Sequence, residues 1–346
     1  MNVVGSFLIF LVLLLIPWIG VGVLHLESLF AIVIPYCAFF IFLFGMIWRM
    51  VNWARSPQPY KIPTTCGQQK SLPWIKYSRL ESPFTTFDVI LRMFFEVFLF
   101  RSLFRNLKAE LQDRKLIYGS AKWLWLGALL FHWCFFIILI RHLRFFTNPV
   151  PSIVSGLDFI DSFVHSFGVP PVFITDILIL VGLTFLLLRR LVDPKVSYIS
   201  HGSDYFPLFL LIGIVSTGVL MRYALKVDIF GIKELTLGLV HFHPAIPKDA
   251  HIGTIFFIHL FLVCTLAVYF PFSKLVHMIG VFFSPTRNMA NNNRAVRHVN
   301  PWEYPVKYTT YCEWQERFRE LLEQAGLPID DEWCKEKQQE QTQKTQ

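Results

Sequence analysis

The stretch WLWLGALLFHWCFFIILIRHL, Trp123 to Leu143, decides how this chain reads. From Trp123 to Ile140 it carries no charge, and at 1.5 Å per residue that length spans most of a hydrocarbon core about 30 Å thick. It nevertheless contains His132 and, directly after Arg141, His142. An ionisable side chain within a membrane helix is costly unless it is paired, hydrated or bound to a ligand. Both imidazoles therefore need a partner.

Five further apolar stretches accompany this one, and the expected spans are residues 3–24, 29–48, 123–143, 172–188, 205–222 and 252–279. The chain is 54% hydrophobic and only 16% charged, with a mean hydropathy of +0.48, which exceeds what soluble domains carry. The fold class expected is an all-α integral membrane protein with six transmembrane helices. The first stretch lacks a basic region before it and a small-residue cleavage site after it, so it is expected to be a retained span and not a signal peptide. The six cysteines, at 37, 66, 134, 264, 312 and 334, form no CxxC or CxxCH, which argues against covalently attached haem, a zinc ribbon and a self-contained iron–sulfur site.

Basic residues set the expected orientation, because cytoplasmic loops retain Lys and Arg. Of the 32 Lys and Arg residues, 26 fall on one side of the six spans. Both termini are expected to be cytoplasmic, with a membrane domain over 1–280, a cytoplasmic loop at 49–122 and a cytoplasmic tail at 281–346, in the cell membrane. The net charge of +8 then reports topology and no nucleic-acid partner is expected. Within the long loop, Arg92 and Glu96 are spaced as an i, i+4 pair, and Arg101 and Arg105 point to another face, so an interfacial element with a bend is expected there.

The sixth span carries His259, with His277 following it on what reads as the same helix. With the third span running outward and the sixth inward, His142 and His259 share the outer level, and His132 and His277 the inner one. Each pair can clamp one porphyrin as axial ligands to haem iron. The spacings do not match: ten residues separate His132 from His142, about 15 Å of helix, and eighteen separate His259 from His277, about 27 Å. A kink at Pro271 is expected to absorb the difference. His241 and His243, in an HFHP stretch, lack a third ligand at defined spacing and read as loop residues.

The 10-residue and 18-residue spacings resemble the histidine pattern of the respiratory nitrate reductase gamma subunit, a dihaem cytochrome b, over the last five spans. Two inner-side segments, TTCGQQKSLPW at Thr64 to Trp74 and SPTRNMANNNRAVRHVNPW at Ser284 to Trp302, resemble a narrower family, DsrM, the cytochrome b subunits of DsrMKJOP complexes. That resemblance implies two b haems, menaquinol or menaquinone as substrate, a cytoplasmic iron–sulfur partner of the DsrK type, further subunits of such a complex, and a place in sulfur (sulfite or sulfate) metabolism. On that reading quinol meets the outer haem. Arg141 and Arg144, flanking His142, are candidates to orient a quinol hydroxyl or a haem propionate, and Asp158, Asp161 and His165 are candidates to take its protons. Two other classes compete: a transporter or proton channel using the intramembrane His residues and Asp176, and a non-redox membrane anchor.

Overall fold

A computed structural model describes residues 2–56, 61, 67–105, 107–162, 172–247, 252–299 and 309–336. Ten helices are used below: α1 Val3–Gly22, α2 Leu29–Ala54, α3 Thr86–Leu99, α4 Lys122–Phe146, α5 Ser152–Asp161, α6 Ile174–Val192, α7 Gly202–Leu225, α8 Ile229–Val240, α9 Thr254–Tyr269 and α10 Tyr311–Gln324. Five of the expected spans form helices long and apolar enough to cross a membrane: α1, α2, α4, α7 and α9. The remaining one, expected at 172–188, is the 19-residue α6, which carries Asp176 in its first turn and Arg189 and Arg190 in its last. The chain is an all-α membrane protein.

Packing follows a chain of neighbours: α4 on α6, α6 on α7, α7 on α1 and α9, and α9 on α2. Leu183 and Ile179 of α6 bury against Cys134 of α4 and Leu211 of α7, while Phe10, Leu210 and Leu262 join α1, α7 and α9. Their outer surfaces stay apolar, as in Phe44 and Trp48 of α2, because lipid and not water faces them. α4 and α9 do not pack along one another; α6 and α7 hold them at a distance.

The expected helix over 252–279 does not run to its end. α9 stops at Tyr269 and is followed by a 3₁₀ turn at Phe270–Phe272, an extended Ser273 and a second 3₁₀ turn at Lys274–Val276, before His277 opens a short helix. Pro271 lacks an N–H and its ring obstructs the preceding turn. The freed backbone finds distant partners: the Arg49 guanidinium donates to the Pro271 carbonyl at 3.1 Å. Gly45 of α2 permits this approach, since a Cβ there would lie 2.9 Å from Pro271 Cβ.

The loop between α2 and α4 contains the expected bend, with Phe100 in left-handed conformation (φ 49°) between α3 and a short helix at Arg101–Arg105. α3 turns its charged residues Asp88, Arg92 and Glu96 into the fold and leaves Phe87, Ile90, Phe94 and Phe98 outward. That apolar outer face suits an interfacial helix. An element not expected from the sequence follows: a hairpin of β1 Leu107–Gln112 and β2 Lys115–Ser120, turned by Asp113 and Arg114 at φ 50° and 61°.

The chain after Ala295 forms a second compact unit. Its α10 starts with a capping box of Thr310 and Glu313, and Arg319 pairs with Asp331 at 2.6 Å. Cys312 and Cys334 form a disulfide across this unit.

Asp88 closes the capping box of α3 with Thr85 and also accepts from Arg79 at 2.8 Å and Tyr77 at 3.1 Å. Burial pushes its carboxyl up, but the bonds from Arg79, Thr85 and Tyr77 outweigh burial and hold it below the usual carboxylate range. Asp88→Ala is expected to destabilise this region by about 1–3 kcal/mol at pH 7. The contribution is complete above the unfolded value of about 3.9 and is lost as pH falls through the lower folded value. A variant that melts with the wild type at pH 7, followed by circular dichroism in detergent, would contradict this role.

Candidate functional site: two facing histidine pairs

The structure brings the four intramembrane histidines together in two pairs. The rings of His132 and His277 are centred 6.0 Å apart, and those of His142 and His259 6.5 Å apart with only 11° between their planes. Two imidazole–metal bonds of about 2.0 Å in line place ring centres roughly 6 Å apart. Both gaps fit an iron between two Nε2 atoms. The break after Tyr269 also removes the mismatch in spacing: His259 to Tyr269 is ten residues of α9, equal to the His132 to His142 interval, so the non-helical segment brings His277 back level with His132.

Each ring is oriented through its other nitrogen. Nδ1–H of His132 donates to the Ala128 carbonyl at 2.7 Å, that of His142 to Ile138 at 2.7 Å, and that of His277 to Lys274 at 2.8 Å. A carbonyl only accepts, so the proton sits on Nδ1 and the Nε2 lone pair is left for a ligand. His259 reaches the same state differently. The Thr217 hydroxyl gives its proton to the Gly213 or Ile214 carbonyl and accepts from His259 Nδ1–H at 2.9 Å. Gly218 sits against the same ring, where a Cβ would lie at van der Waals distance, 3.4 Å from His259 Cε1. His241 makes a similar backbone bond to Leu237 without a facing imidazole, so the pairing and not this bond singles out the four. Among the described residues no three His, Cys, Asp or Glu side chains converge as a metal site. A haem needs only two protein ligands, so its axial sites fit these residues.

The segment that presents His277 is tied down at Lys274, whose ammonium meets Asp204 at 2.7 Å while its carbonyl holds the His277 ring. At the other end of α4, Arg141 is buried and turned onto carboxylates: Asp161 at 2.8 Å, Asp158 at 3.2 Å and Asp176 at 3.6 Å. Its guanidinium lies 3.3 Å over the Phe173 ring, and Arg144 also pairs with Asp158. Four of the five residues proposed from sequence for quinol and proton handling thus meet in one cluster; the fifth, His165, lies outside the described residues. Asp161 is fully engaged, its oxygens also accepting from the Thr175 N–H at 2.9 Å and the Thr175 hydroxyl at 2.5 Å. Sequence reasoning missed Thr175, Thr217 and Tyr223. A threonine among apolar residues is the only trace the first two leave, and a tyrosine at a span end reads as an interface residue.

On the opposite end of the fold, the described parts of the two motif segments interlock. Gln69 donates to the Asn291 side chain at 3.0 Å, Asn291 donates to Ser82 at 2.7 Å, and the Asn291 N–H donates to the Pro83 carbonyl at 2.6 Å. Trp74, which ends the first of these segments, stands 77% exposed.

Comparison with known proteins shows which family the chain belongs to. A protein subunit of Archaeoglobus fulgidus described as an Hdr-like menaquinol oxidoreductase cytochrome b-like subunit is 46% identical over 280 residues, covering 80% of this chain and 83% of the relative. A subunit of the same description from Archaeoglobus profundus is 45% identical over 276 residues, covering 78% and 81%. The family model for the nitrate reductase gamma subunit matches residues 90–298, a stretch that contains all four paired histidines. The chain belongs to the nitrate reductase gamma subunit family.

Proposed function

We propose that this chain is the dihaem b-type cytochrome subunit of a membrane-bound menaquinol oxidoreductase complex. Its outer haem is held by His142 and His259 and its inner haem by His132 and His277. The observation that carries this reading is the facing of the two ring pairs at metal-bridging distance. When bound, the haems supply one-electron carriers at two depths. The protein's own part is to fix the ligands: backbone carbonyls and Thr217 keep Nε2 unprotonated, the Lys274–Asp204 bridge holds the inner turn, and α4 and α9 are seated on α6 and α7 respectively.

Menaquinol as the electron donor is supported by the description of the relatives. The acceptor is a cytoplasmic iron–sulfur subunit of the DsrK type, within a DsrMKJOP-like complex of sulfur metabolism. The motif resemblance and the interlocked surface around Asn291 with the exposed Trp74 support that docking. Both termini, the 49–122 loop and the 281–346 tail lie in the cytoplasm, as the basic residues favour.

Absorbance spectra of purified variants test the ligand pairs. Alanine at His142 or at His259 should remove the same haem, alanine at His132 or at His277 the other, and each leaves about half the haem; a His142→Ala protein with two low-spin haems would overturn the assignment. Thr217→Val should weaken retention of the outer haem alone, about 10- to 100-fold against a haem scavenger. Equal loss from both sites would remove Thr217 from its role. The sidedness has its own check. Under reductant, Cys312 and Cys334 should react with a membrane-impermeant maleimide only after cell lysis, and labelling in intact cells would place the tail outside.

A further inference from the structure

The outer cluster contains three carboxylates, and they are not held alike. Asp158 has one oxygen 3.2 Å from Arg141 and the other on Arg144. Asp161 is saturated by Arg141 and Thr175. Asp176, from the first turn of α6, has Oδ1 3.6 Å from Arg141, beyond hydrogen-bond reach, and Oδ2 accepting the Tyr223 hydroxyl at 2.9 Å. The Phe173 N–H donates to that same hydroxyl oxygen at 3.0 Å, which directs the Tyr223 proton towards Asp176. Asp176 is therefore the one carboxylate of the three that Arg141 meets only beyond hydrogen-bond reach and that a tyrosine hydroxyl addresses directly.

Position adds a second line. Tyr223 lies in the π-helical turn Leu220–Leu225 that ends α7, a rare element that recurs at functional sites. Six residues earlier the same helix holds Thr217 against His259, about 9 Å away along the axis. Arg141, which touches Asp176, immediately precedes His142. The Tyr223–Asp176 pair thus lies about 9 Å along α7 from the residue that holds His259 and touches the residue before His142.

We propose that Asp176, relayed by Tyr223, accepts the protons released when quinol is oxidised at the outer end of the bundle. This rests on the haem and menaquinol reading above. Oxidation of one quinol to quinone breaks two O–H bonds and releases two electrons, which leave singly to ferric b haem iron. Tyr223 takes the first proton while passing its own to the Asp176 carboxylate, which becomes a neutral acid. Asp176 returns that proton to outer water and the second follows the same route. The groups facing Asp176 are Arg141 from α4, Asp158 and Asp161 from α5, and Arg222 and Tyr223 from α7.

The test uses the full chain with its haems, menadiol as the reductant and stopped-flow absorbance at the haem α-band. Asp176→Asn should keep both haem bands and full reduction by dithionite, while menadiol reduces the haems about 100-fold more slowly. Tyr223→Phe, which leaves the carboxylate in place, should slow the same step less and shift its pH profile. Wild-type menadiol rates in either variant would overturn the proposal. If Asp176→Asn lost its haem, Tyr223→Phe alone would decide in the same way. A wild-type protein without haem bands would remove the underlying reading, whereas intact haems with unchanged variant rates would remove only this inference.

Discussion

An imidazole inside the hydrocarbon layer needs partners at both ring nitrogens, and this requirement organises the bundle. In each of the four histidines Nδ1 is taken by a carbonyl or by Thr217. The other nitrogen is left to face a second imidazole across a gap of metal-bridging size. That gap exists because α4 and α9 pack on α6 and α7 and not on each other. The levels agree because α9 ends at Tyr269, so ten residues of helix on each side separate the two pairs.

The two ends of the bundle solve different problems. At the His132–His277 end, Arg49 and the Asp204–Lys274 bridge fix a non-helical segment that would otherwise present bare carbonyls to lipid. At the His142–His259 end, Arg141 ties α4 to α5 and α6 through three carboxylates. A buried charge stripped of its partner costs about 3–5 kcal/mol, so Arg141 is first a structural residue. The same network holds Asp176 at 3.6 Å from Arg141 and bonded to Tyr223, so the proposed proton route starts from a stabilising cluster.

How much of this was legible in the sequence depends on whether the deciding contact is local. The depth matching of His132 with His277 and of His142 with His259 follows from span positions and the asymmetry of Lys and Arg, both of which are chain-level properties. Pro271 announced a disturbance but not its size. Whether a proline kinks or ends a helix depends on what satisfies the freed backbone, and here Arg49 does so, with Gly45 permitting the approach, from more than 200 residues away. The hairpin at 107–120 was hidden because LKAELQ is composed of helix formers and its turn, Asp113–Arg114, is not an Asn-Gly type. Tyr223 could not be singled out, since its role depends on Asp176, 47 residues away.

The central claim is that four histidines, two on α4, one on α9 and His277 beyond its end, hold two haems. The most direct measurement is the haem b to protein ratio of the purified chain, together with its electron paramagnetic resonance spectrum. The account predicts two haems per chain, both low-spin with two histidine ligands. A ratio of one or none, or a high-spin iron with an open axial position, would contradict it.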